Sequence, residues 1–514
     1  MHVFQTPSEV NQWLKRRVTG TLCSDSRQIQ PGDAFMAWPG TVVDARKFVG
    51  DAVRRGAVAC LVESEGISAF ALDGENTGSL PNLQNSMGAI AAEFFGAPSH
   101  DLAVVAVTGT NGKTSTAWWL AQALSVLPAE QALPSAMIGT LGIGRPPIGA
   151  DPSSEAALAP ILSTGMTTPD PVLLQRTLRR FVDDGLRACV VEASSIGIEE
   201  YRLAGTQLRV AVFTNFTQDH LDYHGTMGAY WESKRKLFAW PGLQCAVVNV
   251  DDEHGAQLAQ ALAATELDVW TTSCGGAARL QARAMGYGIQ GLRFEVVEAD
   301  DVHVLQTRTI GAYNVSNLLG VIAAMRGLGV PLQAAVEACG ALNPVPGRME
   351  CLGGIGQPLV AVDYAHTPDA LAQAISALRP LATQREGRLW CVFGCGGDRD
   401  PSKRPLMGAI AAQRADQVVV TSDNPRSEKP EAIISQILLG MPKDKTVQVQ
   451  VDRAVAIADV LARAADNDVI LLAGKGHEAV QDVAGTKQVF SDKDHASKAL
   501  LQRATQNGER LCFR

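Results

Sequence analysis

A series of short apolar runs constrains this chain more than any other feature: residues 102–107, 189–191, 210–213, 246–248, 359–362, 389–393, 417–420 and 469–472. A strand with one wet face alternates apolar and polar residues. These runs do not alternate, so each predicts a strand buried on both faces, and the helical-period stretches between several of them supply the covering layers. The expected fold class is α/β with doubly wound parallel sheets.

A length of 514 residues exceeds what one core can organise, and at roughly 100–200 residues per domain it predicts about three. Residues 74–81 read as a loop, and Gly96-Ala97-Pro98-Ser99 precedes the first strong strand, so one boundary is expected near residue 100. Asn343-Pro344-Val345-Pro346-Gly347 sets the other near residue 344. The expected division is 1–99, 100–343 and 344–514. Residues 142–154, rich in Gly, Pro and Ser, read as a flexible loop inside the central part.

The net charge of −8 argues against a nucleic-acid surface, which needs dense Lys and Arg. The ten cysteines are scattered, and Cys391 with Cys395 has neither redox nor zinc spacing, as expected in a reducing cytoplasm. No leader pattern follows Met1; Pro7-Ser8-Glu9 instead reads as a helix cap before Val10, Trp13 and Leu14. Apolar runs such as 318–324 fall short of the ~18 residues that cross a bilayer. No membrane span is expected.

The sharpest motif is Thr108-Gly109-Thr110-Asn111-Gly112-Lys113-Thr114-Ser115, between the run 102–107 and a helical stretch through Ala117, Leu120 and Leu124. Glycines let backbone N–H groups converge on phosphate oxygens, and the helix N-terminus adds partial positive charge. Lys113 neutralises the terminal phosphates and the Thr114 hydroxyl reaches Mg²⁺. ATP binding by residues 109–115 is expected. Val107 stands where the general motif has a glycine, so the loop is a shorter variant. Such a loop alone does not separate a kinase, an ATPase, a GTPase and a ligase.

Further segments narrow the choice. They are Glu192-Ala193-Ser194-Ser195, residues 215–225 with Asp219, His220, Asp222 and His224, residues 233–238 with Lys234, Tyr313-Asn314, Gly347-Arg348-Met349-Glu350 and residues 363–369. In order and spacing, with the short loop, they resemble the Mur ligase superfamily, which also contains the folylpolyglutamate synthetases. The resemblance runs along the whole chain. It implies three domains: a UDP-substrate-binding domain, a central P-loop mononucleotide-binding parallel sheet that takes ATP, and a Rossmann-like domain for the incoming amino acid.

The chemistry it implies is amide ligation. ATP phosphorylates a carboxylate, and an amine displaces phosphate from the acyl phosphate, with Mg²⁺ relieving the repulsion between anions. By the same resemblance Lys113, Glu192, His220 and Lys234 are the catalytic candidates. Thr114 and Glu192 would serve one Mg²⁺ and His220 a second, with Lys234 carbamylated by CO₂ as an anionic metal partner. Asn314, Arg348, Asp363 and His366 would surround the nucleotide, and closure near residue 344 would exclude water.

Ser24-Asp25-Ser26-Arg27 with Pro31-Gly32-Asp33 resembles the UDP-binding part of the cell-wall ligases, and Ser24 and Ser26 are carried over as contacts. The side chains of Thr41, Val42 and Val43 do not match that pattern. Thr167, Thr168, Ser194, Glu200 and Arg202 resemble the site for UDP-N-acetylmuramoyl-L-alanyl-D-glutamate, although Glu200 stands in place of the family's glutamine. Asp423-Asn424-Pro425-Arg426 resembles the motif that receives meso-diaminopimelate, and Arg426 suits its distal carboxylate. Arg399, Gly474 and Glu478 complete that expected site.

A monomer in peptidoglycan synthesis and cell-wall biogenesis, affecting cell shape and division, is therefore expected, without nucleic-acid partners. The rivals are a lysine-adding or folylpolyglutamate-type ligase and, outside enzymes, a nucleotide-gated binding protein.

Overall fold

The apolar runs become the inner strands of two large sheets. The computed structural model describes residues 1–514 except 41–42, 73, 150–160, 163, 289–290, 355, 444 and 507–514. The central sheet has ten strands. Ala103–Thr108 lies inside it, paired in parallel with Val210–Phe213 on one side and Ala188–Glu192 on the other. Both faces are covered, one by the buried helices Lys113–Ser125 and Tyr313–Gly327, which explains the absence of alternation. The run 318–324 is the buried middle of that second helix, and among the described residues no helix is long and apolar enough to cross a membrane.

Residues Thr108, Phe213 and Glu192 end neighbouring strands on one edge, so the segments that follow them converge there. A six-stranded sheet repeats the device: Leu359–Asp363, Val469–Ala473, Leu389–Phe393 and Gln417–Val420 run parallel with ends in register. Motifs scattered over more than a hundred residues thus emerge along one carboxyl edge, where open α/β sheets place their sites.

A smaller five-stranded parallel sheet is built from His2–Val3, Thr77–Leu80, Ala59–Glu63, Ala34–Ala37 and Leu22–Cys23. The helix Pro7–Lys15 beside it opens with a capping box between Thr6 and Glu9. Val172, from the helix Pro171–Asp183, packs into the apolar cluster under this sheet and joins it to the central one.

The structure corrects three local expectations. The supposed loop 74–81 contains the inner strand Thr77–Leu80, whose small polar residues gave no apolar signal although all four are buried. Gly78 is required there because a Cβ would meet the Phe4 ring at 2.5 Å. The Gly-rich stretch 142–154 begins as the strand Gly142–Gly144, antiparallel to Ser135–Gly139, and residues 150–154 lie outside those described. Beyond the parallel strands the central sheet continues as an antiparallel meander, Leu280–Gly288, Gly291–Glu298 and Asp301–Gln306. Its strands bury one face only, so they lack the double-faced apolar signature.

Candidate active site

The phosphate loop leaves Ala103–Thr108 and enters the helix Lys113–Ser125. Gly109, at φ 145°, sits so close to Thr214 that a Cβ would run into its hydroxyl. The segment after Val210–Phe213 splints the loop: Asn215 Oδ1 accepts from the Asn111 N–H at 2.9 Å and Thr214 Oγ1 donates to the Asn111 carbonyl at 2.6 Å. Thr110 Oγ1 donates to the Thr217 carbonyl at 3.1 Å and lies 3.2 Å from the Tyr230 hydroxyl. Lys113 Nζ folds back onto the carbonyls of Gly109 and Thr110 at 2.9 and 2.8 Å. Burial holds Lys113 below its ordinary range, with Glu192 and Asp219 opposing that shift.

Glu192 is fully buried at the end of its strand. Its carboxylate accepts from the Thr114 hydroxyl at 3.0 Å and from the N–H and hydroxyl of Thr140 at 2.8 and 3.1 Å. These partners are neutral, which leaves a buried negative charge beside the phosphate loop with hard oxygens around it. That donor set fits Mg²⁺. Arg348 reaches across from the segment leading into the six-stranded sheet and donates to Thr114 Oγ1 at 3.2 Å, its guanidinium 4.2 Å from the centre of the Tyr364 ring.

Lys234 lies in the helix Met227–Arg235, which continues as a 3-10 turn Lys236–Ala239. It is not a solvated surface lysine. The side chain is 1% exposed, and Nζ donates to the same Gly109 carbonyl at 2.7 Å. Burial, reinforced by Lys113, drives its pKa well below the usual lysine value. Its neighbours Arg235 and Lys236 are exposed and pair with Glu232 and Glu199.

His220 takes a left-handed backbone, φ 53°, and its Nε2 lies 3.6 Å from Asp219. His366 brings its own Nε2 to 3.9 Å from the same carboxylate. Burial holds both imidazoles below their ordinary range, whereas His220, His366 and Lys403 outweigh burial at Asp219 and keep its carboxyl low. Asp363 accepts from the backbone of Met349 and Ala365 at 2.7 and 2.8 Å, fixing the turn that presents Arg348. Asn314 bonds Asn317, whose side chain lies where a Cβ on Gly112 would fall.

Thr167 and Thr168 stand beside Glu192: Thr167 Oγ1 is 3.1 Å from Thr140 Oγ1, and Thr168 Oγ1 donates to the Glu192 carbonyl at 2.6 Å. Ser194 lies 3.0 Å from Thr168 and caps the helix Ser195–Glu199. Arg202 pairs with Glu200 at 2.6 Å, so the acidic residue at 200 has its own cation. Ser24 follows the small-sheet strand Leu22–Cys23, and Asp170, which follows Thr167-Thr168-Pro169, has its carboxyl pushed up by burial with Ser24 opposing the shift. Ser26 opens a 3-10 turn capped by Asp25. Of the unmatched trio, Thr41 and Val42 lie outside the described residues.

Asp423, Asn424, Pro425 and Arg426 follow the strand Gln417–Val420, and Gly474 and Glu478 follow Val469–Ala473. Arg426 has φ 51° and is held from both sides by the hairpin of Val480–Val483 and Thr486–Val489: its N–H donates to the Asp482 carbonyl at 3.0 Å and its carbonyl accepts from Ala484 at 2.7 Å. Its guanidinium donates to the Gly397 carbonyl at 2.6 Å, and among the described residues no carboxylate pairs with it. Arg399, two residues past Gly397, lies 3.7 Å from Asp222, just after His220. Through Gly397 and Arg399 the Arg426 turn is thus linked to the segment that carries His220 and Asp222.

Thr140, Tyr230, Lys403 and Lys475 carry contacts in this region that sequence reasoning did not single out. Only Lys475, inside the Gly474–Glu478 turn, had a signal that could have found it.

The phosphate loop, buried carboxylate and facing sheet define a class, and the chain belongs to the Mur ligase family. Residues 107–325 match the Mur ligase middle domain and residues 347–476 the Mur ligase glutamate ligase domain. The chain is 59% identical over 507 residues to the UDP-N-acetylmuramoyl-L-alanyl-D-glutamate--2,6-diaminopimelate ligase of Acidovorax sp. (strain JS42), covering 98% of this chain and 99% of that one. It is 47% identical to the protein of that name from Janthinobacterium sp. (strain Marseille), over 97% and 98%. A solved structure described as the same ligase, 33% identical, superposes with a TM-score of 0.63 over 94% and 95% of the two chains.

Proposed function

We propose that this ATP-dependent ligase joins meso-diaminopimelate to the terminal carboxylate of UDP-N-acetylmuramoyl-L-alanyl-D-glutamate through an acyl phosphate, in peptidoglycan precursor synthesis. The observation that carries the choice of amino acid is Arg426, whose turn is clamped by a hairpin and whose guanidinium pairs with no carboxylate among the described residues. A distal carboxylate supplies the missing anion in bidentate geometry. Lysine would bring a second cation to that point.

The phosphate loop binds ATP, and Lys113, released from its two carbonyls, neutralises the terminal phosphates. Thr114 and Glu192, with His220 toward a second position, would hold Mg²⁺, which supplies charge neutralisation when bound. Burial lowers the Lys234 pKa and so favours the neutral amine, which adds to CO₂ and loses a proton to give an anionic carbamate beside Gly109. Arg348, with Asp363, Asn314 and His366, closes over the nucleotide. The muramoyl dipeptide lies along Ser24, Ser26, Thr167, Thr168, Ser194 and Arg202, so its carboxylate meets the γ-phosphate next to Glu192. Arg399, Asp423, Asn424, Arg426, Gly474 and Glu478 bring the amine to the acyl phosphate.

This reading divides the chain into residues 1–99 for the UDP substrate, 100–343 for ATP and 344–514 for the amino acid. It also implies a monomer working in the cytoplasm, whose loss would disturb cell shape and division. The test is ADP release with the UDP-muramoyl dipeptide and diaminopimelate, lysine or no amine. Release is expected with diaminopimelate alone; equal release with lysine, or a requirement for a folate, overturns the reading.

A further inference from the structure

Lys475 is 0% exposed, and none of the roles above uses it. Its Nζ donates to Asn424 Oδ1 at 3.0 Å, Glu478 Oε2 at 2.9 Å and the Val480 carbonyl at 2.8 Å. Three donors thus meet three acceptors, on the Asp423–Arg426 turn, the Gly474–Glu478 turn and the hairpin that clamps Arg426. Asn424 Nδ2 donates to the same Glu478 Oε2 at 2.7 Å, and Asn424 Oδ1 also accepts from the Asp482 N–H at 3.1 Å. The consequence falls on Glu478. Oε2 is occupied twice over, while Oε1 has no hydrogen-bond partner among the described residues and the side chain remains 26% exposed.

We infer that Lys475 is a positioning residue for amino-acid selection: it pins Glu478 by one oxygen so that the other is presented to the distal ammonium of the incoming diamino acid. This rests on the reading that the turn receives diaminopimelate. A carboxylate free to rotate would lose both its aim and part of its preference for a cation, because each fixed hydrogen bond removes a competing rotamer before the ligand arrives. Burial makes the brace stiff, since a lysine cut off from water is held wherever its three acceptors are.

The experiment compares wild type, Lys475→Met, Glu478→Gln and the double variant by ADP release with meso-diaminopimelate and with 2-aminopimelate, which lacks the distal amine. Lys475→Met is expected to raise the KM for diaminopimelate about tenfold, as one lost charge-assisted hydrogen bond does, and to lower the preference for diaminopimelate over 2-aminopimelate by a similar factor. The KM values for ATP and the muramoyl dipeptide stay unchanged. In the Glu478→Gln background the added Lys475→Met leaves the preference where it was. A wild-type preference in Lys475→Met, an equal fall in both backgrounds, or a uniform rise in all three KM values overturns the inference. Lys475→Gln, whose shorter neutral side chain cannot reach all three acceptors at once, carries the same test where Lys475→Met does not fold. Wild-type enzyme that releases no ADP with diaminopimelate sinks the substrate reading; release with an unaltered preference in the variant sinks only the positioning role.

Discussion

Two lysines lie almost wholly inside this protein, one beside the phosphate loop and one beneath the amino-acid turn, and they are held in opposite ways. Lys234, 1% exposed, meets a single neutral carbonyl, that of Gly109, the Tyr230 ring at 4.4 Å and the second cation Lys113 on the same carbonyl. Lys475, 0% exposed, meets three oxygens, one of them a carboxylate. A buried cation is tolerated when paired and hydrogen-bonded and costs several kcal/mol otherwise. In the roles proposed above, burial therefore makes a reactive amine of the first lysine and a brace of the second. Partners, not depth, decide which.

The strongest way to break this contrast is at Lys234. Lys234→Ala should lower kcat by about a thousandfold or more, with partial recovery from a small carboxylic acid that stands in for the carbamate. Near wild-type turnover without such an acid would remove the amine from the mechanism. The next effect tests the other side of the cleft. Arg426→Ala should raise the KM for diaminopimelate about a hundredfold and leave the KM for ATP near its starting value; equal losses in both would place the arginine in general folding instead.

Stability sharpens the comparison because its sign should reverse. The folded-state pKa of Lys234 lies well below 10.5, so between that lowered value and 10.5 the unfolded chain binds more protons than the folded one. Lys234 therefore lowers stability across this window, and the loss is relieved as pH rises toward 10.5. In CO₂-free buffer at neutral pH, Lys234→Met should stabilise the fold by roughly 1 kcal/mol. Lys475→Met removes one donor each from Asn424 Oδ1, Glu478 Oε2 and the Val480 carbonyl and should destabilise by about 1–3 kcal/mol. Chemical denaturation of both variants checks this, and the same sign in both would erase the distinction. The smallest change is expected at Glu200→Gln, which releases Arg202 from its 2.6 Å pair. The KM for the muramoyl dipeptide should fall only about threefold, since half-screened pairs are weak, and the KM for diaminopimelate should not move.

Much of the site was legible in the chain because its motifs are contiguous. Gly109 to Ser115 form a phosphate loop from local rules alone, and Asp423 to Arg426 form one turn. The strand Thr77–Leu80 was missed because its inward residues are Thr, Gly, Ser and one Leu, a composition shared with loops. The meander over Leu280–Gly288, Gly291–Glu298 and Asp301–Gln306 was missed because a strand with one wet face resembles ordinary mixed sequence in a chain dominated by buried runs. Lys475 drew no attention because lysine is a surface residue by default.

What the sequence determined by itself was therefore local: doubly buried strands, the glycine loop, a helix start around Pro7-Ser8-Glu9 and the residue types able to meet phosphates and carboxylates. Tertiary structure alone decided which charges lose water and what they meet when they do. Gly109 and Lys234 are 125 residues apart, Asn424 and Lys475 are 51 apart, and Thr114 and Arg348 are 234 apart. Local propensity acts over a few residues, whereas desolvation and pairing depend on segments that meet only when the sheets align their carboxyl edges.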